Sequence, residues 1–310
     1  MDVRRIRRIE QQQRSLPSFG VQVDDHSAGL IVEAKFKTGL ARNVLQKLGV
    51  EFEEEKFIRA RLQHLHTEDI LAAAIMKVSP LSETFTKNLV LFDIDGTLLR
   101  KAGPHHREAL VEAVRRTTGL ETTTDNVPVV GMLDGDILTQ MLTNAGASRA
   151  LIRRQMPAMI EHAQRIYTRR CPDLRSKVCP GARMLLYRLA RRGVTTGLVT
   201  GNLTRIGWKK MERAGLRQYL RFGAFAELAR DRAGLVRIAV RHAKKEGWID
   251  GQSRISLIGD HPNDIHAAKT NGVRSIAVAT GLVGADELAG HSPDVLVPDL
   301  RALSMEELFG

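Results

Sequence analysis

At 310 residues and 43% hydrophobic composition the chain can bury a substantial core, and no apolar run reaches the roughly 18 residues of a membrane span. Cys171 and Cys179 are the only cysteines and have no Cys/His neighbours at ligand spacing, which argues against a disulfide framework or a zinc site. The formal charge is +12, yet residues 1–86 contribute only +1 of it; with aromatics at 5% a base-stacking surface is disfavoured, and the excess reads as a solvated basic face whose field draws in phosphate esters.

The first 86 residues open on Arg4, Arg5, Arg7 and Arg8 and a Gln triplet, and amphipathic helices are predicted around 38–48 and 54–77. No motif emerges there, and the basic start reads as a short tail rather than a nucleic-acid arm. From residue 87, apolar β-rich runs alternate with helical patterns, which predicts a parallel sheet covered by helices on both faces. The expected strands are Asn88–Ile94, Val194–Thr200, Ile255–Gly259, Ser275–Thr280 and Val295–Pro298. Between the first two, residues 101–180 are helical in pattern throughout. One stripe (Leu110, Ala113, Val114, Thr117) ends at Gly119; Asp134 is expected to cap a helix carrying Ile137, Leu138, Met141 and Leu142, ended by Gly146; a third helix from Ala150 toward Arg170 is expected to kink or split at Pro157. Gly181 to Arg192 predicts a further helix with Pro180 in its first turn, stopped by Gly193. The expected division is therefore an N-terminal extension (1–86), a doubly wound α/β core (87–100 and 181–310) and a helical insertion (101–180).

The decisive segment is Leu89-Val90-Leu91-Phe92-Asp93-Ile94-Asp95-Gly96-Thr97-Leu98, a buried strand ending in two carboxylates. Side chains i and i+2 of a strand share a face, so both acids should emerge at the carboxyl end of a parallel strand, where open α/β sheets bind ligands. An Asp-Gly turn alone would leave two solvated acids, but four specified residues in five recur by chance at only about one position in 10⁵ on average usage. Gly197-Leu198-Val199-Thr200-Gly201-Asn202 is a second strand, ending in a hydroxyl. In the helix after it, Lys210 shares an apolar stripe with Leu203, Ile206, Gly207 and Ala214, whereas Lys209 points away. An ammonium on such a stripe needs a partner, which clustered aspartates would supply. A last strand runs into Gly259-Asp260-His261-Pro262-Asn263-Asp264. His261 has no companion nitrogen or sulfur donor and reads as a loop residue.

These four segments, in this order, resemble the haloacid dehalogenase superfamily, in particular its phosphoglycolate phosphatase-like members with a Rossmann-like core and an inserted helical cap. The resemblance implies that Asp93 is the nucleophile, that Thr200 binds the phosphoryl group through its hydroxyl and backbone N–H together with Gly201 and Asn202, and that Lys210 neutralises the crowded acids. It further implies that Mg2+ is held by the Asp93 carboxylate, the Asp95 main-chain carbonyl and Asp260, with Asp264 as a ligand or a support. Asp95 would protonate the leaving alkoxide and then deprotonate the attacking water, which asks for a pKa above that of Asp93. Thr97 leans toward hydrolysis, since mutases of the family often carry Val there.

The insertion has the position and size of the family's cap, which excludes water and admits small substrates. In Gly131-Met132-Leu133-Asp134, Met132 stands where the cap motif often has Arg, the residue type that would hold a substrate carboxylate; phosphoglycolate is therefore doubtful. Lys101, His105 and His106 lie near the cap's hinge. The expected protein is a cytoplasmic Mg2+-dependent phosphatase for a small phosphorylated metabolite, without membrane or nucleic-acid partners and compatible with a homodimer. The alternatives are a phosphomutase of the same fold and a regulatory protein with a vestigial site. Because the catalytic pattern begins near residue 87, an overlong start is a further expectation, which native peptides from residues 1–80 would reject.

Overall fold

The computed structural model describes residues 87–309 except 101 and, nearer the N-terminus, three strands at 21–26, 29–34 and 58–61. The chain divides into two units, Met1–Glu83 and Thr84–Gly310. In the first, β1 (Val21–His26), β2 (Gly29–Ala34) and β3 (Ile58–Arg61) form an antiparallel sheet in that order. Residues 58–61 are thus extended where a helix over 54–77 was predicted: Ile58-Arg59-Ala60-Arg61 alternates with period two, and pairing with Ile31–Ala34 satisfies its backbone. The remainder of that predicted helix, the one around 38–48, and the basic start lie outside the described residues.

The second unit is built on a six-stranded all-parallel sheet in the order β6-β5-β4-β7-β8-β9. Its strands are β4 (Leu89–Phe92), β5 (Thr195–Val199), β6 (Phe222–Ala224), β7 (Ile255–Gly259), β8 (Arg274–Val278) and β9 (Val295–Val297). Between β4 and β5 come α1 (His105–Thr118), α2 (Asp134–Asn144), α3 (Arg149–Arg170) and α4 (Ala182–Arg191); α5 (Thr204–Arg213), α6 (Arg232–Lys245), α7 (Pro262–Thr270), α8 (Ala285–Gly290) and α9 (Met305–Phe309) follow. The three-residue strand β6 was not predicted; Phe222-Gly223-Ala224 is too short to show a period.

Alternate residues of β4 enter different cores, which is what covers both faces of a parallel sheet. Leu89 and Leu91 pack with Leu235, Val236 and Ala239 of α6 and Ala267 and Ala268 of α7, in a cluster continuous with the inner faces of α1, α2 and α3. Val90 and Phe92 pack with Leu185, Leu186 and Leu189 of α4 and with Leu300, Leu303 and Leu308. All four β4 side chains are wholly buried, and each contributes about 1.5–3 kcal/mol of transfer free energy.

Three local expectations are corrected. α3 runs unbroken through Pro157 for 22 residues, because its Ile152, Met159, Ala163, Ile166 and Tyr167 remain buried on one side of the proline and the other. α4 begins at Ala182 with Gly181 as its left-handed N-cap (φ 83°), so Pro180 precedes the helix. A side chain at 181 would meet the Arg301 backbone nitrogen at 2.4 Å. Asp134 does not cap its own helix: the N-cap is Leu133, and the carboxylate reaches a different element.

Because β4 leads to β5 on one side and later to β7 on the other, the connections diverge at its carboxyl end and open a crevice there. The predicted acids and Thr200 lie at the carboxyl ends of β4, β5 and β7.

Candidate active site

Asp93 continues β4 by one residue, its N–H bonding to the Ile258 carbonyl. Asp95 follows two residues later, beyond the end of β4, and the two acids differ sharply. The Asp93 side chain is 7% exposed and the Asp95 side chain 45%. Each has its own cation.

Arg232, the first residue of α6, places Nη1 2.9 Å from Asp93 Oδ1 and 2.7 Å from Asp264 Oδ1. Lys210 of α5 places Nζ 2.8 and 2.5 Å from the two Asp95 oxygens, 2.7 Å from Asn202 Oδ1 and 3.2 Å from His106 Nδ1. An ammonium has three donors, and all three are thereby committed. Lys210 is buried as its apolar stripe predicted, and Lys209 instead pairs with Glu212 on the surface. The cation among the crowded acids is Arg232 rather than Lys210. It went unread in the sequence, although the same test selects it: Arg232, Leu235, Val236 and Ala239 form one stripe. A cation in the first turn of a helix also opposes the macrodipole and calls for a reason.

Thr200 follows β5. Its N–H bonds to the Ala224 carbonyl, extending the β5–β6 pairing, so only the hydroxyl of the two predicted donors remains for a ligand. That hydroxyl accepts from Asn202 Nδ2 at 2.8 Å and keeps its own hydrogen to donate. Asn202 joins the two halves of the site, since the same Nδ2 donates to Asp95 Oδ2 at 2.8 Å while Oδ1 accepts from Lys210. Gly201 lies under the helical segment: a Cβ there would come 2.2 Å from the Met132 carbonyl, and the Gly201 carbonyl accepts from the N–H of Asp134.

Asp93, Asp260 and Asp264 each offer a carboxylate oxygen, all within 4.8 Å of one another. Burial, then the charges of Asp93 and Asp264, push the Asp260 pKa well above the carboxylate range. Asp264 is pushed the same way, burial outweighing the opposing pull of Arg232. Glycines make the cage tight: a Cβ at Gly96 (φ 90°) would sit 2.0 Å from Asp260 Oδ2, and one at Gly281 1.7 Å from it. Thr97 donates to Asp260 Oδ1 at 3.2 Å. Asp264 also accepts from the His261 N–H in the capping box of α7, so both its oxygens are engaged within the protein. His261 itself caps α7 through Nδ1, which accepts from the Asn263 N–H.

For Asp95, burial works to raise the pKa, but the charge of Lys210 and hydrogen bonds from Lys210 and Asn202 bring it below the ordinary value. The resemblance asks for an Asp95 that readily takes a proton; the Lys210 ammonium favours its carboxylate form.

The helical segment reaches the core through its loop before α2. Asn263 Nδ2 donates to the Gly131 carbonyl at 2.9 Å, and Asp134 Oδ2 accepts from the N–H of Leu203 at 2.7 Å. His106, on α1, joins the site through Lys210; His105 does not, and its buried Nδ1 has no partner. Lys101 lies outside the described residues. Cys171 and Cys179 are free thiols, the first half-buried against Tyr167 and the second buried. Among the described residues no helix is long and apolar enough to cross a membrane.

Residues 87–272 match the family model described as haloacid dehalogenase-like hydrolase. The chain is 28% identical over 227 residues to a phosphoglycolate phosphatase of Pseudomonas syringae pv. tomato, covering 69% of this chain and 78% of that protein. It is 26% identical over 240 residues to phosphoglycolate phosphatase 1 of Pseudomonas aeruginosa, covering 72% and 81%. Among solved structures, CbbY from Rhodobacter sphaeroides in complex with phosphate shares the fold with a TM-score of 0.55 at 19% identity, over 71% of this chain and 98% of that one. A β-phosphoglucomutase from Clostridium difficile gives a TM-score of 0.54 at 17% identity, over 71% and 94%.

Proposed function

From the premise that this chain belongs to the haloacid dehalogenase-like hydrolases, we propose that it is a Mg2+-dependent phosphatase that cleaves a small phosphate monoester by way of a phosphoryl group carried on Asp93. The observation that carries this reading is the division of labour between the two acids: Asp93 is buried against Arg232, and Asp95 is exposed against Lys210. A nucleophile needs a fixed, desolvated oxygen, and a proton carrier needs access to the leaving group and to water.

The donor set fits magnesium. Three carboxylates face one guanidinium, burial and then their mutual repulsion raise the pKa values of Asp260 and Asp264, and an all-oxygen cage suits a hard cation. Asp93, Asp260 and the Asp95 main-chain carbonyl would hold it, with Asp264 as the buried support that Arg232 ties down. When bound, the ion supplies positive charge that lets a phosphate dianion approach the acids.

The residues then divide the work. An Asp93 oxygen forms a bond to phosphorus as the ester oxygen departs in line, while Arg232 holds Oδ1 and offsets the charge. The Thr200 hydroxyl and the Gly201 N–H donate to the phosphoryl oxygens. Asp95, which is exposed and takes a proton from solvent before the transfer, gives it to the leaving oxygen; as a carboxylate it takes one back from the water that cleaves the acyl phosphate, releasing inorganic phosphate. Lys210 and Asn202 keep the Asp95 carboxyl aimed. Residues 101–180 act as the cap over this crevice, and the contacts of residues 131–134 with residues 201–203 and 263 support that role. Met132 packs among apolar side chains and brings no cation to the site, so esters lacking a carboxylate should outrank phosphoglycolate.

The test is phosphate release from a panel of small monoesters, phosphoglycolate included, with Mg2+ or with a chelator, for the wild type and Asp93→Asn. Turnover that needs the metal and disappears in the variant is expected. Turnover that survives the substitution would overturn the nucleophile, and phosphate retained on the product would mark a mutase.

A further inference from the structure

We propose that His106 and Asp134, both supplied by the helical segment, are positioning residues that hold Lys210 on Asp95, so that protonation of the leaving group depends on the seating of that segment. The inference rests on the assignment of Asp95 to proton transfer made above.

Four side chains form one line. Asp134 Oδ2 lies 3.0 Å from His106 Nε2, His106 Nδ1 lies 3.2 Å from Lys210 Nζ, and Lys210 grips both oxygens of Asp95. Chemistry fixes the direction of each bond. An ammonium only donates, so His106 Nδ1 must accept; the ring hydrogen then sits on Nε2 and is donated to Asp134. His106 is therefore a neutral imidazole in one tautomer, chosen by the carboxylate behind it. Asp134 is 3% exposed and Lys210 2%, and the wholly buried ring of Tyr167 packs edge-on to His106 at 5.6 Å. Asp134 and Lys210 have little solvent to turn to if a link is lost.

The origin of the links matters as much as their lengths. His106 is on α1 and Asp134 starts α2, whereas Lys210 is on α5 of the core and Asp95 follows β4. Asp134 also holds the core: the same Oδ2 accepts from the Leu203 N–H, and the residue's own N–H donates to the Gly201 carbonyl. The same carboxylate thus fastens the segment beside Thr200 and selects the His106 tautomer. With His106 gone, Lys210 keeps three acceptors, both Asp95 oxygens and Asn202 Oδ1, but loses the one of the four that the helical segment supplies, and the ammonium is free to leave the geometry that aims Asp95.

Asp134→Asn should break the line without removing bulk. The Leu203 N–H and His106 Nε2 meet the same atom, Oδ2: an amide oxygen there serves both without the charge that draws the ring hydrogen onto Nε2, and an amide nitrogen there faces the Leu203 N–H and favours the other tautomer, which turns Nδ1 into a donor facing an ammonium.

The experiment compares an alkyl phosphate, whose leaving oxygen needs a proton, with p-nitrophenyl phosphate, whose leaving group does not. It is run on the full chain with Mg2+ for the wild type, Asp95→Asn, His106→Ala, His106→Asn, Asp134→Asn and the His106→Ala/Asp134→Asn pair. General-acid catalysis is worth about 10²–10⁴-fold. Accordingly His106→Ala and Asp134→Asn should each lose about 10- to 100-fold on the alkyl ester and no more than about threefold on the nitrophenyl ester in kcat/KM, which reports phosphoryl transfer to Asp93 and not the later hydrolysis common to both esters. The double variant should lose no more than the worse single one, as expected of residues acting in series. His106→Asn, which can return an oxygen acceptor to Lys210, should recover part of the loss and covers the case in which His106→Ala does not fold. Equal losses on both esters, or none, would overturn the inference. Asp95→Asn separates it from its premise: if that variant also treats the two esters alike, the assignment of Asp95 has failed.

Discussion

Replacing Arg232 with Met removes a buried cation and keeps most of its bulk. Its Nη1 lies 2.9 Å from Asp93 and 2.7 Å from Asp264, so at an effective dielectric constant of about 20 each contact is worth roughly 6 kcal/mol of gross attraction. Most of that offsets the desolvation of the three groups, and the measured cost of removing one partner from a buried pair is about 3–5 kcal/mol. The same figure is expected here at pH 8 in a chelator. The cost should depend on pH in a definite sense. Burial and mutual repulsion already raise the pKa values of Asp260 and Asp264 in the folded state; without Arg232 they rise further, the folded protein binds more protons than the unfolded chain, and stability falls as pH rises. The deficit relative to wild type should therefore shrink as the pH drops to 5.5, where the folded-state carboxyls are protonated. Urea unfolding at both pH values measures it. A loss below about 1 kcal/mol at pH 8, or the same loss at both pH values, would refute the idea that Arg232 compensates this cage. Lys210→Met is the internal contrast: its carboxylate partner is 45% exposed and returns to water, so a smaller loss of stability is expected.

Gly281→Ala would place a Cβ 1.7 Å from Asp260 Oδ2 and push that carboxylate out of the cage; a displacement of that order costs about 10²-fold in turnover, read from kcat and its Mg2+ dependence, and unchanged turnover would show that Asp260 has room to move. Asp260→Asn removes a charge that burial and Asp93 disfavour, so in chelator at pH 8 the variant should melt higher than wild type, by about 2–4 °C per kcal/mol gained. That gain should vanish as the pH falls to the ordinary carboxylate range, and the variant should lose the thermal shift that Mg2+ gives the wild type. A scanning fluorimetry series over pH and Mg2+ reads all three outcomes.

What could be read in the sequence was local. The run Leu89–Phe92 could only be a strand covered on both faces, the carboxylates behind it had to emerge at its carboxyl end, and a lysine four residues before Ala214 and seven after Leu203 had to face inward. Each conclusion follows from the repeat of one element and the cost of exposing apolar or burying charged groups. The misses were of a different kind. Pro157 was expected to break α3, but burial of the side chains on either side keeps it whole. Asp134 looked like the cap of its own helix, and its carboxylate instead serves Leu203 and His106.

Which cation meets which acid is a matter of tertiary structure alone. Lys210 and Arg232 both lie on apolar stripes, 115 and 139 residues from the acids they pair with, and nothing in either helix states its partner. The strand order β6-β5-β4-β7 decides it, by bringing α5 toward Asp95 and α6 toward Asp93. The sequence determined that acids, a hydroxyl and a buried lysine would gather at one edge of a parallel sheet, because strand periodicity and hydrophobic burial are short-range rules. The pairing of Arg232 with Asp93, and the line from Asp134 through His106 to Lys210, arise only when separate elements close on one another, because hydrogen bonds and charges act over a few ångströms of space whatever the distance along the chain.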